Sequence, residues 1–321
     1  MELSIPALAQ RIPTEAAAYE FLEELRWHGE PVCPHCGSIA QHYFLTPKNG
    51  TSRKTNRGSD SQRRVWCCKD CRKQFSVLTG TLMHGTHIPV RTWVFVTFEL
   101  CANKNGLAAR EVQRKYKLTP KSAWFLLHRI REAMMPGSSD PLFSGVVVAD
   151  ETWIGGAPKN RHGHRSGQGG RKTDKTPVLT LVHHETGEVR SQVVPNVNGR
   201  TLRKVIREQV DMSWTLLHTD ESRAYNVMDR ELAGHESVNH SAGEYFRQGV
   251  STNKAENYFS QLKRSIDGTH HNVSKAHLGR YLSEFDFRHT THDLTDTARM
   301  QRLMGRVAGR RLMYSVSSVG A

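Results

Sequence analysis

Two kinds of side chain in this sequence have the type and position to do chemistry: thiols set in pairs, and carboxylates delivered at the ends of apolar runs. Cys33-Pro34-His35-Cys36 and Cys68-Lys69-Asp70-Cys71 are two Cys-x-x-Cys knuckles. Each tight turn aims two sulfurs at one point, so together they suit four thiolates around a structural Zn2+, with no coordination position left open for catalysis. Val146-Val147-Val148-Ala149 ends in Asp150, and Trp214-Thr215-Leu216-Leu217-His218-Thr219 ends in Asp220. Carboxylates at the ends of buried strands are costly unless paired, hydrogen-bonded or bound to a cation. A third acid, Glu256, lies in 253–266, where Ala255, Phe259, Leu262 and Ile266 form an apolar stripe. Asn253, Glu256, Ser260 and Lys263 follow the adjacent stripe, so both can meet the same sheet edge. If the acids converge, they are hard oxygen ligands for a divalent cation, and phosphodiester chemistry there needs no covalent protein intermediate.

The elements that must position these groups are legible in the periodicity. Residues 14–27 open with a threonine cap and place Ala18, Phe21, Leu22 and Leu25 on one helical face. The knuckles follow, separated by a polar, basic stretch at 48–58 that reads as a loop. From about 89 to 135 the pattern is helical. Within it, Leu107–Tyr116 reads as a helix, Lys117-Leu118 as a turn, and Thr119-Pro120 as a cap with proline at the first helical position. The helix after this turn buries Ala123, Leu127, Ile130 and Met134 and leaves Lys121, His128, Arg129 and Arg131 to meet phosphates or base edges, as in a helix-turn-helix. Beyond Pro141 the rhythm becomes β-rich: strands at 145–150, 178–182 and 188–194, a helix at 200–210, a strand at 214–218, then the helix at 253–266. Three strands, a helix, a strand and a late helix, with an acid on the first strand, the fourth and the last helix, is the order expected of an RNase H-like fold.

Composition narrows the partner. Lys and Arg number 45 against 31 Asp and Glu, a formal charge of +14, which favours a polyanion such as nucleic acid. Gly155-Gly156 and the following Lys159, Arg161, Arg165, Arg171, Lys172 and Lys175 form a glycine-rich basic segment suited to clamping DNA. No apolar run approaches the ~18 residues of a membrane span, and the first residues do not read as a secretory signal. The expected location is cytoplasmic, and in that reducing compartment six cysteines are better metal ligands than disulfide partners.

These residues carry a resemblance. Cys33–Ser38, Cys68–Ser76, Gly80-Thr81, Ala149–Gly156, Thr219–Tyr225 and Asn253–Gly268 together resemble insertion-sequence transposases of the Asp-Asp-Glu class, in the branch with a zinc ribbon ahead of the catalytic domain. The chain departs from that branch at Phe287-Arg288-His289-Thr290, where members often have an aromatic residue and an asparagine after Phe-Arg. The fold class is therefore multi-domain α/β. The expected parts are an N-terminal helix and zinc ribbon (1–85), a helix-turn-helix-like domain (86–140), an RNase H-like mixed-sheet catalytic domain (141–290) and a basic C-terminal tail (291–321). The resemblance implies a DNA transposase of the bacterial nucleoid, a homo-oligomer when bound to DNA ends, that cleaves and transfers strands. It implies Mg2+ or Mn2+ at Asp150, Asp220 and Glu256, structural Zn2+ at Cys33, Cys36, Cys68 and Cys71, and DNA contacts from Lys263 and Arg264 beside those named above. In some members the third catalytic position is an asparagine, which makes Asn253 and Asn257, flanking Glu256, further candidates. The rival classes are a DNA-binding regulator with an inactive nuclease domain and a structure-specific nuclease.

Overall fold

The computed structural model describes residues 2–39, 41–45, 61–137, 140–155, 175–244 and 246–313. Two compact units emerge: Met1–Asn103, Leu107–Met134 and Leu294–Ala321 form the first, Lys104–Gly106 and Met135–Asp293 the second. The ribbon and the helical segment thus share one unit, unlike the division drawn from the sequence.

In the first unit, α1 (Ile5–Arg11) precedes α2 (Glu15–Trp27), whose Thr14 cap accepts the Ala17 N–H at 3.2 Å. Three short antiparallel strands follow: β1 (His42–Phe44), β2 (Trp66–Cys68) and β3 (Gln74–Phe75). Strands this short do not stand alone. Buried Glu23 of α2 holds them, accepting from Arg64 Nε and Trp66 Nε1, both at 2.9 Å. Next, α3 (Val90–Ala102) lacks a side-chain cap of its own. Glu15 supplies one from α2, accepting the N–H groups of Val90 and Arg91 that the helix leaves unpaired. Then α4 (Ala109–Tyr116) and α5 (Pro120–Met134) pack across a turn with Lys117 in the left-handed region at φ 51°. Thr119 Oγ1 accepts from Ser122 N at 3.1 Å, the cap expected from the sequence.

The interior of this unit corrects one expectation. Ala123, Leu127, Ile130 and Met134 are buried as expected, but so are His128, Arg129 and Arg131. Arg129 donates to the His84 carbonyl at 3.0 Å, and its guanidinium lies 5.1 Å from the centroid of the Trp93 ring. It is committed to packing rather than to DNA, because α5 is covered by more than one neighbouring helix.

In the second unit, β4 (Phe143–Ile154), β5 (Thr176–His183) and β6 (Val189–Val193) pair antiparallel, and after α6 (Gly199–Gln209) β7 (Val210–Thr219) returns parallel to β4. A further strand, β8 (Gly234–Ser237), lies parallel to β7, giving the order β6-β5-β4-β7-β8. This is the RNase H-like mixed sheet expected from the sequence, one strand wider. Alternation along β4 sends Val147 and Ala149 into a core with α6. Val148 and Ile154 enter the opposite core, built with α7 (Asn253–Ser265) and α8 (Lys275–Thr290).

The outer strand β6 would expose unpaired N–H groups, the usual liability of an edge. Here α8 covers them with side chains. Asp286 accepts the Ser191 N–H at 2.7 Å, and Thr290 accepts the Val189 N–H at 3.1 Å. Asp286 also receives the hydroxyls of Ser191 and Tyr258, and burial pushes its carboxyl up to about 7 despite those donors. Thr290 thus has a structural task at the position where the sequence departs from the transposase pattern. Finally α9 (Asp296–Gly305) belongs to the first unit, burying Met300, Leu303 and Met304. Arg299 is buried with them and donates to the Cys101 carbonyl. This part of the expected basic tail is a packed helix.

Asp286→Ala removes the acceptor of the Ser191 N–H and of the Ser191 and Tyr258 hydroxyls, of which only the hydroxyls keep another partner, each other, at 3.1 Å. We expect it to lower the unfolding free energy by on the order of 3 kcal/mol, with Asp286→Asn costing less. Denaturant titration checks this, and an unchanged Asp286→Ala midpoint would contradict the edge-capping account.

Candidate metal centres

Strand register explains how the acids meet. Pairing of β4 with β7 runs to Val148↔His218 and β7 ends at Thr219, so Asp150 and Glu151 extend past it while still paired to Thr180 and Leu179 of β5. Asp220 follows β7 directly at this open end. Oxygen atoms of Asp150, Glu151 and Asp220 lie within 4.8 Å of one another. Two of these were expected. Glu151 was not, and Glu256 stands outside the group, with Oε1 3.7 Å from His240 Nδ1.

Such crowding disfavours ionisation. Burial, the largest cause, raises Asp150 to about 7; the charges of Glu151, Asp220 and Glu256 add to it, against the Glu151 N–H that Asp150 accepts at 2.7 Å. Burial also raises Glu151 to about 7, opposed by the Tyr225 hydroxyl that donates to it at 2.5 Å. Asp220 accepts the Ser222 N–H at 3.0 Å, which fixes the turn out of β7.

The second cluster is sulfur. Cys33 and Cys71 Sγ are 3.7 Å apart, as are those of Cys36 and Cys68, and all four lie within 4.8 Å of one another. A tetrahedron with Zn–S bonds of ~2.3 Å has sulfurs about 3.8 Å apart, so the spacing fits zinc. Cys67 points elsewhere, toward the carbonyls of Cys68 and Arg72, and Cys101 is buried in the core as expected.

With the geometry in place, the comparisons decide the family. The family model of the ISXO2-like transposase domain matches residues 142–290, and that of the transposase zinc-ribbon domain matches residues 13–74. A transposase-like protein of Haemophilus influenzae is 31% identical over 108 residues, 33% of this chain and 85% of its own length. The chain belongs to this zinc-ribbon transposase family. A protein of the transposable element ISH50 from Halobacterium salinarum is 25% identical over 285 residues, 86% of this chain and 90% of its own. A solved simian T-cell lymphotropic virus intasome, in complex with PP2A regulatory subunit B56 gamma, overlaps 58% of this chain and 66% of the matched chain. Its TM-score of 0.29 and 15% identity are too low to bear on fold or function.

Around the acids of this transposase, other expected residues take recorded places. Asn253 opens α7 and is exposed, as are Glu256, Ser260 and Lys263, while Ala255, Phe259, Leu262 and Ile266 are buried, the two stripes read from the sequence. Lys263 Nζ lies 5.9 Å from the centroid of the Phe259 ring, and Arg264 Nε donates to the Ser260 carbonyl at 3.3 Å. Sequence reading missed Glu221. The Ser241 hydroxyl and the His240 and Ser241 N–H groups bind its carboxylate and hold it down to about 2, fixing the segment that carries His240. His240 Nε2 lies 3.1 Å from Thr252 Oγ1 at the start of α7. In the first unit, Arg110, Lys121, Ala109, Pro120 and Trp124 line an open hollow of about 510 Å³ against α4 and α5. Arg161, Arg165, Arg171 and Lys172 lie outside the described residues. Among those described, no helix is long and apolar enough to cross a membrane.

The raised acids carry a pH signature. Asp150 and Glu151 move from 3.8 and 4.5 to about 7, so without metal the folded chain keeps protons that the unfolded chain releases. Their contribution to stability therefore falls as pH rises from about 4 to about 7. A divalent cation held by these acids would compete with those protons and restore the lost stability. We expect Mg2+ to raise the melting temperature more at pH 8 than at pH 6, by differential scanning calorimetry; equal shifts would contradict a cation at these acids.

Proposed function

We propose that this transposase binds the ends of its mobile element as double-stranded DNA, cuts there with Mg2+ or Mn2+ at its carboxylates, and joins the freed 3′ end to target DNA. The observation that carries the reading is the meeting of Asp150 and Asp220 at the open end of β4 and β7, with Glu256 on the exposed stripe of α7. Anionic oxygens of this kind are the donors a hard dication selects. When bound, a pair of such ions supplies an activated water or 3′-hydroxyl and stabilises the leaving oxygen.

The chain's own residues do the rest. Asp150 would be the shared ligand, with Asp220 to hold one ion and Glu256 the other, and Asn253, one helical turn before Glu256, as an auxiliary amide. Lys263 and Arg264, in the last turn of α7, meet phosphate near the cut. Cys33, Cys36, Cys68 and Cys71 hold Zn2+ and so tie the ribbon together. End recognition falls to the helix-turn-helix face with Lys121, and Arg161, Arg165, Arg171 and Lys172 clamp the duplex. The active species is a homo-oligomer on paired ends, acting in the bacterial nucleoid.

Incubating the full chain with its element ends, target DNA and Mg2+, with gel analysis, tests this. Asp150→Asn, Asp220→Asn and Glu256→Gln should abolish cleavage and joining while sparing end binding, and Asn253→Ala should slow both. Full activity in Asp150→Asn would overturn the catalytic reading, and an active Glu256→Gln beside a dead Asn253→Ala would hand the third role to the asparagine. Binding without cleavage would identify a regulator, and cleavage without joining a nuclease. Lys121→Ala should weaken end binding and lower the salt slope by about one. Arg129→Ala should instead lower the melting temperature, as its burial requires.

A further inference from the structure

We infer that Glu151 is a fourth metal-facing carboxylate of the transposase centre and that the buried phenol of Tyr225 is the positioning residue that aims it. The inference rests on the reading of Asp150 and Asp220 as metal ligands and adds to it.

Neighbouring residues of a strand point to opposite faces of a sheet, so Asp150 and Glu151 should not share a site. Asp150 has the parity of Val148, on the α7 side; Glu151 has the parity of Ala149, on the α6 side, where Tyr225 is buried in the core. Their oxygens nevertheless lie within 4.8 Å of each other and of Asp220. They meet because β7 ends at Thr219, which leaves β4 without that neighbour at this level and lets carboxylates from both faces reach round the open edge. The side chain of Glu151 is held in place by one buried donor. Tyr225, 0% exposed, comes from the short 3-10 helix Arg223–Met228 just after Asp220 and donates its hydroxyl to Glu151 Oε1 at 2.5 Å. One short segment therefore supplies Asp220 to the centre and fixes its unexpected companion.

Charge balance gives Glu151 a task. Two divalent ions bring four positive charges, of which Asp150, Asp220 and Glu256 balance three. Glu151 balances the fourth before any DNA phosphate arrives. The geometry thus assigns it to holding metal in the DNA-free chain. Tyr225 acts through it, as groups behind metal ligands commonly do, with losses of about 10–100-fold in metal affinity when they are removed.

The test is Mn2+ binding to the full chain without DNA, followed by electron paramagnetic resonance, alongside Mg2+ titration of end cleavage. Glu151→Gln should weaken Mn2+ binding by roughly 10–100-fold and Tyr225→Phe by about 10-fold. In cleavage, Tyr225→Phe should shift the half-saturating Mg2+ upward by its own factor, with the rate recovering at high Mg2+, a rescue that misfolding would not allow. Glu151→Asp, which keeps the charge on a shorter arm, serves as the second variant and should fall between wild type and Glu151→Gln. Wild-type Mn2+ affinity in both Glu151→Gln and Tyr225→Phe would overturn the inference and leave the wider reading intact. The wider reading falls separately, if Asp150→Asn keeps full cleavage activity.

Discussion

Everything in the catalytic unit is arranged around one unfavourable act, the burial of carboxylates beside one another. Burial and mutual repulsion hold Asp150 and Glu151 near neutrality at a pH where carboxyl groups are ordinarily ionised. A fold gains nothing from such a cluster by itself, since each charge loses hydration and meets another of its own sign. The arrangement persists because strong neighbouring structure imposes it. β4 is twelve residues long and flanked on both faces by packed cores, so its acids cannot retreat without disrupting the sheet.

The support extends well beyond the strands. Tyr258 lies two residues after Glu256 on α7, and its hydroxyl reaches Asp286 of α8, which in turn caps the outer strand β6. Thr180, the register partner of Asp150 on β5, lies 2.9 Å through its hydroxyl from that of Ser191. A buried polar network thus runs from the partner of the first acid to the helix bearing the third. Buried networks of this kind define one arrangement sharply when every member is satisfied. The position of α7 against the sheet is fixed by these bonds as well as by the packing of Phe259 and Leu262.

How much of this was legible in the sequence follows from the same physics. The strands carrying Asp150 and Asp220 stood out because each is an apolar run ending in an acid, and the α7 stripes because one face alone is buried. Glu151 did not stand out, because the two-residue period of a strand directs it away from Asp150; only the register at which β7 stops brings it back. Tyr225 sits in a short 3-10 segment with no periodicity to read. In α8 the apolar period is blurred because polar Ser283, Glu284 and Asp286 are buried alongside Tyr281, Leu282 and Phe285. Arg129 misled for a related reason: arginine implies solvent, yet it is buried here with a backbone carbonyl for its guanidinium, as is Arg299 within the segment read as a basic tail.

The net charge of +14 and the acidic strand end pull on DNA in opposite senses, and the proposed chemistry needs both. Over distances near a Debye length, about 8 Å at physiological salt, the basic surface dominates and draws a polyanion in. At contact the balance reverses. A phosphate about 4 Å from a carboxylate is opposed by roughly 4 kcal/mol at an effective dielectric of 20, and the centre holds several carboxylates. In the proposed chemistry the scissile phosphate would therefore settle only where cations had neutralised the acids. Metal and DNA must accordingly strengthen each other's binding by the same factor. A carboxylate beyond the expected three matters in that cycle because it sets how much of the neutralisation is in place before the DNA arrives.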